Sequence, residues 1–190
     1  MLKKVMMVLS AVVLGSAVYA ADFPLKVWES ADSEGVISDL QENNFLYTVT
    51  ADYRQTGNKY NTPIGWVRVR TILNGKSGLN VSGKYSQFEF EVTIEAGEQI
   101  KTPVSVSVAS FSGKKDAVNL PQELESGKSY KVIVPFRALS RLDEAALKVV
   151  ESVQLVFREK FLPDGKAVKF HLNNLRLTGG DAAEIQVITK

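Results

Sequence analysis

Apolar and polar residues alternate along most of the chain, in runs of about five to ten residues. Gly, Asn, Asp, Ser and Pro separate the runs, as turns between strands require. Seven runs are rich in the Val, Ile, Phe and Tyr that strands prefer. They are Phe45–Tyr53, Gly65–Leu73, Gln87–Ile94, Val104–Phe111, Ser129–Phe136, Val153–Phe157 and Val168–Leu177. This pattern predicts an all-β fold, either a β-sandwich or a barrel.

One segment has the spacing of a short helix instead of a strand. In Ala138–Val149, apolar residues recur at Leu139, Leu142, Ala146 and Val149, which is the spacing of one helix face. We expect a single short helical connection between two strands there. The final residues, 181–190, would form either an added edge strand or a loose tail.

The strand predicted over Gly65–Leu73 has an unusual polar face. Successive side chains point to opposite faces of a sheet, so Trp66, Arg68 and Arg70 share one face while branched residues occupy the other. Trp offers a flat apolar area for stacking on a sugar ring, and Arg offers several fixed hydrogen-bond donors for its hydroxyls. These three residues are therefore candidates for ligand binding.

The neighbouring strand in sequence, Gln87–Ile94, supplies an alternative explanation of those arginines. Its polar face carries Glu89 and Glu91 and is typical of a solvated sheet surface. The arginines could pair with nearby carboxylates such as Glu89 or Glu91, and Trp66 could cover an edge of the core. Both interpretations stay open from the sequence.

Two predicted loops carry further binding candidates, since loops on a rigid sandwich often hold binding residues. The polar connection after Tyr53 ends near Tyr60, which joins Trp66 as an aromatic candidate. Arg158 leaves the Val153–Phe157 strand and enters a charged loop that contains an aromatic residue. The predicted ligand-binding residues are therefore Tyr60, Trp66, Arg68, Arg70 and Arg158.

The N-terminus has the layout of a signal peptide. Lys3 and Lys4 precede an apolar run that ends near Val18, and Val18 and Ala20 fit a small-residue cleavage site. We expect cleavage after Ala20 and export to the periplasm or beyond the cell. The run is shorter than the roughly 20 residues of a membrane-spanning helix. An uncleaved N-terminal anchor is the alternative.

Composition narrows the class of protein. Cleavage would leave residues 21–190, enough for one β-sandwich domain over 21–180 with residues 181–190 following it. The 23 basic residues without Lys3 and Lys4 become 21, against 21 acidic residues, and this balance argues against nucleic-acid binding. The chain contains no cysteine, which excludes disulfides, thiolate metal sites and cysteine nucleophiles.

Catalytic machinery is not recognisable in the sequence. His171 is the only histidine, and it lies inside a predicted strand without the neighbours of a catalytic triad or a zinc site. Carboxylates that are close in sequence, such as Asp143 and Glu144, occur often by chance and fit a solvated helix. We therefore expect a protein that is not an enzyme.

Several segments, taken in order, resemble the galactose-binding-like β-jelly rolls of bacterial carbohydrate-binding modules. They are the opening Val27–Asp32, the polar turn and strand Leu79–Val92, the proline-ended strand Gly127–Phe136, and the closing pair Val153–Phe157 and Lys169–Leu177. The resemblance spans most of the chain after residue 20, and the order and spacing of the segments carry it. It implies a jelly-roll sandwich, although that fold also hosts adhesion and structural modules.

The resemblance also implies a structural calcium ion and a function. Many members of this group join an early acidic residue and an Asp of the last strand through calcium, and the matching positions here are Glu29 and Asn173. Asn173 departs from that pattern because it offers only a neutral carbonyl. The implied function is non-catalytic recognition of a polysaccharide or glycan. The alternative is a structural or assembly protein of the periplasm or cell surface that binds another protein.

Overall fold

The structure, a computed structural model, describes residues 23–26, 28–30, 35–52, 66–73 and 77–190. Its strands are β1 (Phe23–Pro24), β2 (Trp28–Ser30), β3 (Gly35–Gln41), β4 (Asn44–Thr50), β5 (Trp66–Ile72), β6 (Gln87–Ala96), β7 (Lys101–Thr102), β8 (Val104–Ser110), β9 (Lys115–Asn119), β10 (Leu124–Glu125), β11 (Ser129–Pro135), β12 (Val150–Arg158), β13 (Ala167–Thr178) and β14 (Gln186–Thr189). The helix α1 spans Glu144–Leu147, and 3₁₀ turns span Phe136–Ala138 and Glu159–Phe161.

Two antiparallel sheets form the body of the described structure. The seven-stranded sheet has the order β14-β11-β6-β13-β4-β3, with β1 added against β13. The five-stranded sheet has the order β2-β5-β12-β8-β9, and β7 and β10 form a small separate ladder. Most neighbouring strands are distant in sequence, so the fold depends on long-range pairing.

The two sheets enclose one hydrophobic core. Val168, Phe170 and Leu172 of β13 are fully buried and alternate with polar residues, as a half-buried strand requires. The ring of Phe170 lies 4.1 Å, between centroids, from the ring of Phe157 on β12 of the other sheet. Tyr47 of β4 packs against both rings. The predicted all-β sandwich is therefore confirmed.

All seven predicted strands are present, with ends that differ by a few residues. The predicted helical connection is also present, although its α-helix is only Glu144–Leu147. Asp143 begins this helix, and its carboxylate accepts a hydrogen bond from the Ala146 amide at 2.9 Å. A 3₁₀ turn at Phe136–Ala138 overlaps the start of the predicted segment, and the α-helix begins only after Asp143.

Strands at the sheet edges were mostly not predicted. β9 lies between the predicted strands Val104–Phe111 and Ser129–Phe136, and three of its five residues are exposed. β14 pairs antiparallel with β11, so part of residues 181–190 forms an edge strand. The expected signal peptide, residues 1–20, lies outside the described residues. No helix among the described residues has the length and apolar character needed to cross a membrane.

Candidate functional site

Strand pairing in the five-stranded sheet brings the predicted arginines together. β5 and β12 are antiparallel neighbours, and their register places Arg158 opposite Trp66 and Gln154 opposite Arg70. Val67 and Val69, which alternate with the two arginines along β5, are buried in the core. Arg68, Arg70 and Arg158 therefore lie on the outer surface of this sheet, although the sequence placed Arg158 in a separate loop.

We call this surface the arginine face. It consists of Arg158 and two rows of cross-strand neighbours that run over the sheet. The rows are Glu29-Arg70-Gln154-Ser107-Ala117 and Arg68-Val156-Ser105-Asn119. Charged side chains stand at the β5 side, and small or uncharged ones continue across β12, β8 and β9. The first row spans roughly 19 Å and the second roughly 14 Å, because neighbouring strands lie about 4.8 Å apart.

Hydrogen bonds from the core and along the surface hold parts of the arginine face. The hydroxyl of Tyr47, a fully buried residue of the other sheet, donates a hydrogen bond to the Arg68 carbonyl oxygen at 3.3 Å. On the surface itself, the Ser105 hydroxyl donates to Asn119 Oδ1 at 2.7 Å. Val156 is only 5% exposed although it lies outside the core cluster. These contacts hold the Arg68 backbone and the side chains of Ser105, Asn119 and Val156 in place on this face.

An ion pair lies at one side of the arginine face. The Arg70 guanidinium donates a hydrogen bond to the Glu29 carboxylate, and the two side chains are 43% and 46% exposed. The alternative that the arginines pair with nearby carboxylates is thus confirmed for Arg70, but the partner is Glu29 and not Glu89 or Glu91. Both glutamates lie on β6 of the seven-stranded sheet. Glu89 pairs there with Lys131 and Arg176, and Glu91 pairs with Lys190.

The outer surface of the seven-stranded sheet is built differently, and we call it the glutamate face. It carries three glutamates of β6, and each has a basic partner. The pairs are Glu89 with Lys131 and Arg176, Glu91 with Lys190, and Glu95 with Lys169 and His171. His171, with a side chain 42% exposed, is thus a surface residue whose Nε2 lies 3.2 Å from a Glu95 carboxylate oxygen.

Glu89 is the buried member of the glutamate face. Burial raises the pKa of its carboxyl, but hydrogen bonds from Thr178, Gln87, Arg176 and Lys131 outweigh burial and hold the pKa below its ordinary value. Thr178 and Gln87 donate to the same carboxylate oxygen, at 2.8 and 2.7 Å. The exposed Glu95 also has a lowered pKa, because Lys169 and His171 hydrogen bond to it.

The predicted calcium ligands do not form a site. Glu29 is on β2 of the five-stranded sheet, and Asn173 is on β13 of the seven-stranded sheet. Both flank buried core residues, Trp28 and Leu172, so alternation directs their side chains to opposite outer faces. Within the described residues, no group of three or more His, Cys, Asp or Glu could hold a metal ion. Calcium stays a prediction of the resemblance, and this pair does not fit it.

Two predicted aromatic contacts cannot be placed. Tyr60 lies outside the described residues, and Trp66 is described only as the first backbone position of β5. The sequence missed Gln154, Ser105 and Ser107, which face the same side as the arginines. Nothing in their local sequence marks them, since only the register of three strands places them beside β5.

Comparison with known proteins shows which solved structures share this fold. No family model and no curated protein matches the chain. A solved agarase, AgWH50C, matches with a TM-score of 0.56 and 10% identity over 86% of this chain and 25% of the agarase. The chain therefore corresponds to about a quarter of that enzyme.

Whole carbohydrate-binding modules also match. A family 30 module matches with a TM-score of 0.50 and 12% identity, over 88% of this chain and 89% of the module. The CBM27-1 module of Caldicellulosiruptor saccharolyticus, solved with mannohexaose, matches with a TM-score of 0.50 and 15% identity, over 87% and 98%. At such identities the similarity establishes the fold alone. The chain has the galactose-binding-like jelly-roll fold of carbohydrate-binding modules, which confirms the resemblance seen in the sequence.

Proposed function

We propose that this protein is an exported, non-catalytic polysaccharide-binding protein and that the arginine face is its binding surface. The observation that carries the proposal is the β5–β12 register, which gathers Arg68, Arg70 and Arg158 beside a floor of small polar side chains. The shared fold with carbohydrate-binding modules supports the class of ligand. Export rests on the N-terminal sequence pattern.

The chemistry of the arginine face suits a sugar chain that lies across the strands. Ser107 and Ala117 are small enough to let a chain approach the sheet closely, and Gln154 offers both a donor and an acceptor. The guanidinium groups add several donors in fixed geometry for ring hydroxyls. Trp66 and Tyr60 stay the proposed aromatic contacts, because a flat ring covers the apolar side of a sugar.

The composition of this face supports binding over hydrolysis. Glycoside hydrolysis ordinarily uses two carboxyl groups placed on either side of the scissile bond. Among the described positions of the two rows, Glu29 is the one carboxylate, and Arg70 holds it. A single carboxylate held by a guanidinium is poorly placed to act as a general acid.

The experiment is affinity electrophoresis of residues 21–190 in native gels that contain soluble polysaccharides. We expect specific retardation by at least one polysaccharide, and its loss in the Arg68→Ala/Gln154→Ala variant. Lys169→Ala, on the glutamate face, is the matched control and should be retarded like the parent. The proposal fails if no polysaccharide of a broad panel retards the protein, or if the control loses retardation equally.

The alternative of a protein-binding envelope component has one observation in its favour. β3 is an edge strand of the described seven-stranded sheet, and its Val36 and Leu40 are 62% and 48% exposed. Exposed apolar edge strands are templates for pairing with another chain. Crosslinking in the native cells with a reagent placed at Val36 tests this candidate, and a discrete, reproducible adduct would support it.

A further inference from the structure

An apolar groove lies where the N-terminal segment passes from one sheet to the other. β1 pairs with β13 of the seven-stranded sheet, and β2 pairs with β5 of the five-stranded sheet. The groove has a volume of about 290 Å³. Phe23, Pro24 and Leu25 line it from the N-terminal segment, and Ile72 and Leu73 line it from the end of β5.

Backbone hydrogen bonds attach both walls of the groove to the sandwich. The Leu25 amide donates to the Leu175 carbonyl oxygen of β13 at 2.9 Å, and the Leu73 amide donates to the Glu151 carbonyl oxygen of β12 at 2.7 Å. The indole Nε1 of the buried Trp28 donates to the Leu25 carbonyl oxygen at 2.8 Å. The two walls are therefore fixed to strands of different sheets.

The lining of the groove is mostly apolar. Phe23 and Ile72 are 36% and 42% exposed, so their side chains are open to solvent. Among the described lining residues, only Lys26 and Thr71 have polar side chains, and Thr71 is 1% exposed. A whole sugar ring would press hydroxyls against this apolar lining, and a buried hydroxyl without a partner is costly. The groove therefore suits a small apolar group better than a sugar ring.

Lys26 adds one hydrogen-bond donor to this apolar lining. Its Nζ lies 3.6 Å from Glu42 Oε1, which is longer than a direct hydrogen bond, and its side chain is 53% exposed. An ammonium group carries three donors, so Lys26 can donate to a carbonyl oxygen at the groove. An acetyl ester combines the two features that the groove accepts, a methyl group and a carbonyl oxygen.

The groove adjoins the arginine face through β5. Ile72 follows Arg70 by two residues, so their side chains lie on the same side of the sheet, roughly 7 Å apart along the strand. The register places Ser152 opposite Ile72 and Gln154 opposite Arg70. A substituent on a sugar bound over Arg70 and Gln154 is therefore within reach of the groove.

From this arrangement we infer that the ligand of the protein is an O-acetylated polysaccharide and that the groove binds its acetyl groups. The acetyl methyl group packs against Phe23 and Ile72, which removes apolar surface from water. The acetyl carbonyl oxygen accepts a hydrogen bond from Lys26. The inference rests on the proposed function and adds the chemical class of the ligand.

The test is isothermal titration calorimetry with soluble fragments of glucomannan, xylan and alginate, each in an O-acetylated and an alkali-deacetylated form. The variant Phe23→Ser/Ile72→Ser removes the apolar contacts, and Ile72→Ser alone replaces it if circular dichroism shows that the double variant does not fold. Lys26→Met removes the donor and keeps an apolar stem. The control Val36→Ser/Ile188→Ser changes two apolar residues that are 62% and 47% exposed on the other sheet.

We expect the parent to bind the acetylated form of at least one polymer roughly fivefold to tenfold more tightly than the deacetylated form, from one buried methyl group and one hydrogen bond. The groove variant should lose this preference and bind the deacetylated form like the parent. Lys26→Met should weaken the preference, and the control should keep it.

Two results would overturn the inference and leave polysaccharide binding standing. One is equal affinity for both forms of every polymer that binds. The other is an equal loss of the preference in the control, which would mean that the groove does not produce it. Weaker binding of the deacetylated form by the groove variant would also overturn the inference, since the groove would then hold the sugar chain itself. Absence of binding to both forms of every polymer would remove the inference together with the proposed function.

Discussion

The two outer surfaces of the sandwich use charged residues in different ways. On the glutamate face, each glutamate of β6 lies against a cation from the same sheet or its C-terminal residue. On the arginine face, Arg68 and Arg70 lie in the two rows, Glu29 pairs with Arg70, and Arg158 lies beside the rows. The charged side chains of the glutamate face tie strands of one sheet together, whereas those of the arginine face lie beside small, uncharged side chains such as Ser105, Ser107 and Ala117.

Burial separates the two faces as well. The Glu89 side chain is 9% exposed and has four hydrogen-bonding partners, whereas the Glu29 side chain is 46% exposed and pairs with Arg70. Exposed ion pairs contribute little to stability because water and salt screen them. A buried carboxylate with charged partners is costly to disturb. We therefore expect mutations on the glutamate face to change stability and those on the arginine face to change binding.

The largest effect predicted from this comparison is that of Glu89→Ala. Removal of the carboxylate leaves Lys131, Arg176, Thr178 and Gln87 without their shared acceptor. We expect the free energy of unfolding to fall by about 2 to 3 kcal/mol. Urea unfolding followed by circular dichroism measures this change, and affinity electrophoresis of the folded variant should be unaltered.

The matched control is Glu91→Ala, on the same strand and the same face. Its side chain is 27% exposed and pairs with Lys190, so the loss should be below about 1 kcal/mol. Equal losses in the two variants would contradict the distinction drawn from burial. Loss of polysaccharide binding in folded Glu89→Ala would mean that the glutamate face, and not the arginine face, binds the polysaccharide.

A smaller effect is predicted for the pH dependence of stability. The pKa of Glu89 is lowered in the folded protein from an ordinary value of 4.5. A carboxyl with a lowered folded pKa binds its proton more readily in the unfolded chain. Its stabilising contribution is thus complete above pH 4.5 and is lost as the pH falls through the folded pKa.

The comparison of the parent with Glu89→Gln isolates this contribution, since both retain the other acidic groups with lowered pKa values. We expect a difference in unfolding free energy of about 1 to 2 kcal/mol at pH 7, narrowing as the pH is lowered below 4.5. Urea titrations at several pH values measure the difference. A gap that stays constant down to pH 2.5 would show that the charge of Glu89 does not contribute.

Sequence patterns predicted the central strands well and the edges poorly. Alternation marked β13 because Val168, Phe170 and Leu172 are buried on one face only. β9 was not predicted because it is short, lies at a sheet edge with three of its five residues exposed, and has only Val118 as a strong strand former. The helix α1 lies in the predicted segment, but it begins only after Asp143, whose carboxylate caps it.

The sequence predicted those parts of the candidate site that lie on one strand, but not how neighbouring strands combine them. Arg68 and Arg70 were recognised from their alternation with Val67 and Val69 within β5. Arg158 was recognised only as a loop residue, because the β5–β12 register is a tertiary property. The partner of Arg70 was not recognised for the same reason, since Glu29 lies 41 residues away in sequence.

The smallest effect on stability is expected for Glu29→Gln, which also tests most directly how the two faces differ. The Arg70–Glu29 pair is nearly half exposed, so its removal should change the unfolding free energy by less than about 0.5 kcal/mol. If the arginine face binds an anionic polymer, Glu29 competes for Arg70, and its neutral substitute should strengthen that binding by roughly twofold to fivefold. Isothermal titration calorimetry with two anionic polymers, de-esterified polygalacturonan and a sulfated galactan of the carrageenan type, measures this gain. The control is Glu95→Gln on the glutamate face, which removes one negative charge as Glu29→Gln does.

A gain of the same size in Glu95→Gln would mean that net charge governs binding. Weaker binding in Glu29→Gln would mean that Glu29 contacts the ligand itself, as an acceptor for sugar hydroxyls, and that the face recognises a neutral chain.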